Sequence, residues 1–322
     1  GTTFLGDLAL DVGPTLDGFC GSFDRIDGSL TVYASGLSSL GALDCLTEIT
    51  GDVSISSNQE LAAVVLPALV RVGGALYVNA NGALAVLDLP ALTEVGDNLA
   101  VDLNPALAGL AMTALARVGG AISIYQNAAF EPVAAGEASL RGLVEVDGNV
   151  FIRLNNAMTR VDLAGLTRVG GMLKITGNRV LTELSAPLLA ETNGLWLSYN
   201  DSLQSFSLPE LRSTAGVTLI RPGPTTLDLP RLRTASATIE VFDTATMPTL
   251  RMPALEEIAG DLRIHDNPGV TALEFPALRS IEGGLEVVRN PVLPTTEAEA
   301  LRDSVGTQNI AGGVEISGNA GG

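Results

Sequence analysis

The sequence predicts an all-β fold, a parallel solenoid of stacked coils, and three observations carry that prediction. A motif, Gly-x-Φ-x-Φ-x-x-Asn with Φ aliphatic, recurs along the whole 322 residues. A second piece, Leu-Pro-x-Leu, precedes it at a nearly constant distance. Hydrophobic residues make up 46% of the chain but aromatics only 4%. That balance suits many thin aliphatic layers better than one irregular core, where large rings fill the gaps.

The motif ends at Asn58, Asn81, Asn104, Asn127, Asn155, Asn178, Asn200, Asn267, Asn290 and Asn319. The intervals between successive asparagines are 23, 23, 23, 28, 23, 22, 67, 23 and 29. Two degenerate copies, Gly216 to Pro222 and Ala237 to Thr244, fill the interval of 67, and Gly28 to Ser35 and Gly6 to Gly13 continue the register upstream. The count is about 14 coils, with a repeat length of 22–23, in a single domain spanning 1–322. Residues 1–45 read as N-terminal capping coils and 294–322 as a C-terminal cap.

Each element of a coil has a physical reason. The Φ-x-Φ piece alternates with the period of a strand, so pairs such as Leu76 and Val78 point inward. A unit this short cannot bury its own apolar face, and stacking neighbours solves that. Leu66-Pro-Ala-Leu69 and its five relatives read as a bent corner or a poorly paired edge, because proline cannot donate to a ladder. The Gly seven positions before each Asn is expected to take a backbone shape closed to other residues. The recurring Asn is expected to stack as a ladder inside a turn, its amide bonding neighbouring backbone groups.

Composition excludes several functions. Eighteen basic against 36 acidic side chains give a net charge of −18, which argues against a nucleic-acid partner. One His and 2 Cys leave almost no material for a metal centre, and no cofactor motif is visible. Apolar runs such as Leu61 to Val70 contain Pro67 and are too short to cross a membrane.

The pattern Leu-Pro-x-Leu-x-x-Val-x-Gly-x-Leu-x-Val-x-x-Asn, well matched by Phe275 to Asn290, resembles the receptor L domain. It is related to leucine-rich repeats, whose closing Leu-x-Ile-x-x-Asn is matched at Leu173 to Asn178. The resemblance implies a right-handed β-helix whose broad main sheet serves as a ligand face, and it implies no catalysis. The long row of coils and few cysteines are closer to bacterial or fungal surface members. The expected location is therefore secreted or at the cell surface, with any leader already removed.

Cys20 and Cys45 lie about one coil apart in the chain. They can meet across adjacent layers as a disulfide, which the extracellular resemblance favours, or remain two reduced core thiols. Thr296 and Glu299 form a capping box and Gly306 is a stop signal. They predict a short helix over 297–305 that covers the open C-terminal end. The extra length between Phe130 and Leu143 reads as a loop insertion.

Register also assigns the outward side chains. Of 13 aromatic residues, seven (Tyr33, Tyr77, Tyr125, Phe151, Trp196, Tyr199 and Phe242) fall on outward positions of the main sheet or its corner. Arg153, Lys174, Arg221, Arg263, His265 and Arg289 lie in the same coils, a local reversal of sign. The Asn column breaks there too, at Pro222 and Thr244. The expected ligand face is centred on Trp196 and comprises Tyr125, Phe151, Arg153, Lys174, Trp196, Tyr199, Arg221, Phe242, Arg263 and His265. Its partner is a protein or glycan on a surface, or another copy of the chain in a layer or fibre. Ordinary cross-strand pairing also places aromatics on sheets. Asp261, Arg263, Asp266 and Glu286, with His265 between them, are a grouping that a polysaccharide-active enzyme could use.

Overall fold

The computed structural model describes residues 1–11, 18–129, 140–224 and 226–321. Among the described residues it is a parallel β-solenoid whose main sheet has 14 rungs, seven in each of two units, with two short α-helices. The chain forms two compact units, Gly1–Leu166 and Thr167–Gly322.

In the first unit the main sheet has seven rungs among the described residues. They are β1 (Leu8–Leu10), β2 (Leu30–Tyr33), β3 (Val53–Ser56), β4 (Leu76–Asn79), β5 (Leu99–Asp102), β6 (Ile122–Tyr125) and β7 (Val150–Arg153). Each pairs in parallel with the next, with no slip of register. The second unit also has seven: β8 (Arg168–Thr176), β9 (Glu191–Ser198), β10 (Val217–Ile220), β11 (Ile239–Phe242), β12 (Leu262–His265), β13 (Leu285–Val288) and β14 (Val314–Ser317). These too are parallel, with one irregularity between Val169 and Met172 of β8. The inward aliphatics Leu76, Val78, Ile122, Ile124, Ile264 and Val287 are at most 1% exposed.

Each coil carries more strand than the motif announced. A two-residue strand precedes the main rung, as in Glu48–Ile49, Arg71–Val72 and Glu94–Val95. A second sheet stacks Ala63–Val65, Val86–Asp88 and Gly109–Ala111 in one unit. In the other unit it includes Ser205–Ser207 with Thr226–Asp228, and Thr249–Arg251 with Ala272–Glu274. The Leu-Pro piece is the turn that ends this second sheet. Leu66 and Leu69 are buried, Pro67 is exposed, and the Leu69 amide closes the turn on the Leu66 carbonyl at 3.3 Å. Proline therefore sits where no ladder bond is required of it.

The asparagines form ladders. Asn81 donates from its backbone amide (3.0 Å) and from Nδ2 (3.1 Å) to Oδ1 of Asn104. Its Nδ2 also donates to the Ile55 carbonyl at 3.0 Å. The same bonds join Asn58, Asn104, Asn127 and Asn155, and again Asn267, Asn290 and Asn319. Ser35 and Thr244 begin these two runs, each donating its amide and hydroxyl to the next Asn. The break at Thr244 is thus a substitution of hydroxyl for amide, and the break at Pro222 is one of donor loss.

The glycine column has a different cause from the one expected. From Gly51 onward the glycines seven positions before Asn do not take a positive φ; that conformation belongs to the residue just before Asn, at Ser57, Ala80, Leu103, Gln126 and Leu154 with φ of 52–60°. The glycines are small because coils touch there. A Cβ on Gly148 would lie 2.8 Å from the Gly120 carbonyl, and one on Gly283 2.6 Å from that of Gly260. Asp97 and Asn193 also occupy this column, so the approach is not equally tight in every coil.

At the N-terminal end, Cys20 in α1 (Phe19–Ser22) is bonded to Cys45, and Phe4, Phe19 and Phe23 cluster with ring centroids 5.4–6.1 Å apart. At the other end, α2 (Thr295–Val305) starts two residues earlier than expected. Its cap is Pro294 with no side-chain bond, so the Thr296–Glu299 box does not form. The start is held instead by the Thr295 amide and hydroxyl, which both donate to the Ala320 carbonyl. Gly306 ends it at φ 82°. The helix buries Ala298, Leu301 and Val305 and lies beside Ala272–Glu274 of the second sheet. It also touches β14, where Val314, Glu315 and Ser317 keep exposed side chains. The insertion expected from Phe130 to Leu143 falls largely outside the described residues.

Candidate functional site

Each predicted residue sits where strand alternation puts it, and local pairing decides what it does there. In the first unit, Tyr125 and Phe151 are half-buried outward residues of β6 and β7. The Arg153 guanidinium lies 5.1 Å from the Tyr125 centroid and 5.3 Å from that of Phe151, within cation–π range of both. Its Nε has no hydrogen-bond partner, so the rings hold this cation more than polar contacts do. Asp102 accepts from Ser123 Oγ at 2.9 Å. Burial raises its carboxyl above the ordinary value, opposed by Ser123 and by the charge of Arg153.

In the second unit, Lys174 of β8 and Trp196 of β9 are direct cross-strand partners. The ammonium stands 4.1 Å from the indole centroid. The indole Nε1 donates to Ser198 Oγ at 2.9 Å, and Ser198 also meets Thr176 Oγ1. The half-buried ring is fixed in orientation from two sides. Tyr199 and Arg221 stand at the corner before the Asn column, at φ 53° and 46°. Tyr199 is 48% exposed, and Arg221 pairs with Asp201 at 3.5 Å.

Two rungs on, Phe242 stacks on His265 with centroids 5.0 Å apart and planes 21° apart. The imidazole lies between Asp266 (3.0 Å) and Glu240 (3.4 Å). Asp266 also receives both Nε and NH2 of Arg289 at 2.7 Å. These bonds from Arg289, then from His265, hold the Asp266 carboxyl far below its usual range. Arg263 pairs with Asp261 at 2.6 Å and Glu286 at 3.8 Å.

The structure therefore brings together Tyr125 with Phe151 and Arg153, Lys174 with Trp196, and Phe242 with His265. It does not leave a bare cationic field. Arg221, Arg263, His265 and Arg289 each face a carboxylate, so the reversal of sign counted along the sequence is largely neutralised in place.

Two further features went unread in the sequence. The short strands before the main rungs of the first unit stack Arg25, Glu48, Arg71, Glu94, Arg117 and Glu145 in one outward column of alternating charge. Glu48 bridges Arg25 and Arg71, and Arg71 also reaches Glu94 at 3.2 Å. Reading one column across repeats, instead of along the chain, exposes this alternation. In the second unit the corresponding column passes from Glu191 to Ser213 and Thr234. There a shallow polar groove opens, lined by Asn193, Ser213, Thr234 and Ser236.

Among the described residues, one set of potential metal ligands converges, Cys20, Asp44 and Cys45, and its sulfurs are already bonded to each other. No helix is long and apolar enough to cross a membrane. Compared with family models, with curated proteins and with solved structures, the chain matches none of them.

Proposed function

We propose that this chain is a non-enzymatic recognition module, secreted or displayed at a cell surface, of the receptor L-domain-like kind. Its main sheet binds a protein or glycan presented on another surface. The observation that carries this reading is the treatment of Trp196. A single tryptophan in an aromatic-poor chain is left half-exposed on the sheet, with its ring set by Lys174 and Ser198. Rings held in one orientation lose little freedom on binding, and Trp, Tyr and Arg are enriched among residues that dominate interfaces. The arrangement at Tyr125, Phe151 and Arg153 repeats the device.

The carboxylates that a polysaccharide-active enzyme would use are occupied. Asp261 and Glu286 share Arg263, and Asp266 is bound by Arg289 and His265. A carboxyl held as low as that of Asp266 is a poor general acid near neutral pH.

The test is a glycan array and a pull-down from surface extracts, comparing the wild type with Trp196→Ala/Arg221→Ala. Loss of a captured partner in the double variant is expected. Unchanged capture overturns the proposal. A second reading, association of copies into a layer or fibre, is favoured by exposed aliphatics beside the first-unit sheet, Leu103 at 45% and Leu154 at 40%. Mass in solution separates the two: a monomer across concentrations supports recognition, and concentration-dependent polymers support assembly.

A further inference from the structure

Most arginines stacked on this solenoid face a carboxylate, and one place in the second unit departs from that rule. Arg212 and Arg233 occupy the same position of adjacent coils, the Arg233 amide donating to the Arg212 carbonyl at 2.9 Å. Parallel neighbours so related lie about 4.8 Å apart. Arg231 joins them from the Leu-Pro-x-Leu turn, at a position filled by Ala254 and Ala277 in the following coils. The three side chains line one groove whose remaining lining is Pro230 and Ala254.

Few carboxylates answer them. Glu210 pairs with Arg231 and lies 3.8 Å from Arg212. Glu210 reaches Arg212 and Arg231 but not Arg233. Glu256, next in its column, is engaged by Arg279. The local charge is 3 − 1 = +2, counted over Arg212, Arg231, Arg233 and Glu210, in a chain of net charge −18.

We propose that this groove is an oxyanion site that takes a tetrahedral sulfate or phosphate group, free or as an ester on a sugar. Like charges stacked in register on neighbouring coils repel as they do across a sheet, so placing Arg233 beside Arg212 is unfavourable until an anion lies between them. Guanidinium groups present paired N–H donors that match oxyanion geometry, keep their charge at any physiological pH, and shed water more readily than an ammonium. Three such forks exceed what one carboxylate can accept, and suit a group with four oxygens. The small apolar lining leaves room for it. The site is separate from the main-sheet face and does not depend on the function proposed for that face.

The test titrates the full chain with sodium sulfate and with inorganic phosphate, each against sodium chloride at equal ionic strength. Arginine Nε–Hε resonances report binding. Parallel arms with glucosamine 6-sulfate and glucose 6-phosphate separate the free ion from the ester. Saturable binding beyond the chloride response is expected. Arg233→Ala and Arg231→Ala should each weaken it about tenfold, the size of one good charge-assisted contact. Glu210→Gln, which removes the competing carboxylate, should tighten it. Arg251→Ala, outside the groove, should leave it unchanged. A response no greater than chloride, or equal titration curves for the wild type and an Arg231→Ala/Arg233→Ala variant, overturns the proposal. So does an unchanged affinity in Glu210→Gln. All these side chains are exposed except Glu210, which is half-buried, and circular dichroism confirms that each variant is folded.

Discussion

Asn104 shows why one residue type recurs while its neighbours vary. It is fully buried and its Oδ1 receives both the amide and the Nδ2 of Asn81. Its Nδ2 reaches the Val78 carbonyl at 2.8 Å. Only a side chain with both an acceptor and a donor can pass this network from coil to coil. Leu103 beside it has a left-handed backbone, φ 60°, which costs an L-residue roughly 1–2 kcal/mol. The ladder holds that conformation in place. Asn104→Ala strands a buried amide and a buried carbonyl, so a loss of about 2–6 kcal/mol is expected, each orphaned group costing about 1–3 kcal/mol. Gly148→Ala should also destabilise, because its Cβ meets backbone at 2.8 Å and the coils must part. Urea unfolding decides both; a wild-type midpoint in either variant would contradict the account.

Asp266 gives the residue scale a pH dependence. Its folded carboxyl is lowered from an ordinary value of 3.8 by Arg289 and His265. A depressed acid stabilises the fold above its unfolded value, and that contribution fades as pH falls through the folded one. Asp266→Asn should therefore be less stable than the wild type at pH 7, with the gap closing below pH 3.8. The side chains are partly exposed, so solvent screening keeps the effect small. A gap that stays constant from pH 7 to pH 3 would remove Asp266 as its source.

At the scale of the element, the short strands before the main rungs carry the alternating column from Arg25 to Glu145. Each exposed pair contributes only about 0.2–1 kcal/mol, but Arg71 serves Glu48 and Glu94 at once. Arg71→Glu would align three carboxylates in register. A loss of about 1–3 kcal/mol at low salt follows, from two lost pairs and direct cross-strand repulsion. Much of it should vanish near 1 M salt, where charges are screened within about 3 Å. An equal loss at both salt levels would mean that packing, not charge, is responsible. Helix α2 shows the reverse lesson. Gly306 ended it as the local signal said, but its start answered to a carbonyl at Ala320, which no local pattern announces.

For the molecule as a whole, repetition makes length negotiable. Each coil contacts its neighbours, so whole coils are units of stability. Deleting positions 59–104 removes two whole coils and joins Asn58 to Pro105 in register. It also brings Glu48 next to Arg117, which preserves the charge alternation. This variant should fold, with native-like circular dichroism and cooperative unfolding. Deleting only 59–70 shifts every later residue out of its column and should not fold. Survival of the second, or collapse of the first, would deny that register is what the sequence encodes.

The parallel rungs, their inward aliphatics and the Asn ladder were legible in the chain because each depends on a column with one physical demand, repeated many times. The second sheet was harder to read, since three-residue strands such as Ala63–Val65 carry too little alternation. The cause of the glycines was misjudged because close approach and positive φ select the same residue. The candidate face was legible as a set of outward positions. Its chemistry was not. Whether Arg153 is free or lies between two rings, and whether Arg263 and Arg289 offer charge or spend it on Glu286 and Asp266, depends on side-chain reach between neighbouring coils. Periodicity in the sequence by itself determined which residues share a column and which face the core. Only the tertiary structure decided which outward charges cancel, because pairing is settled by distances of a few ångströms between coils that the linear order does not record.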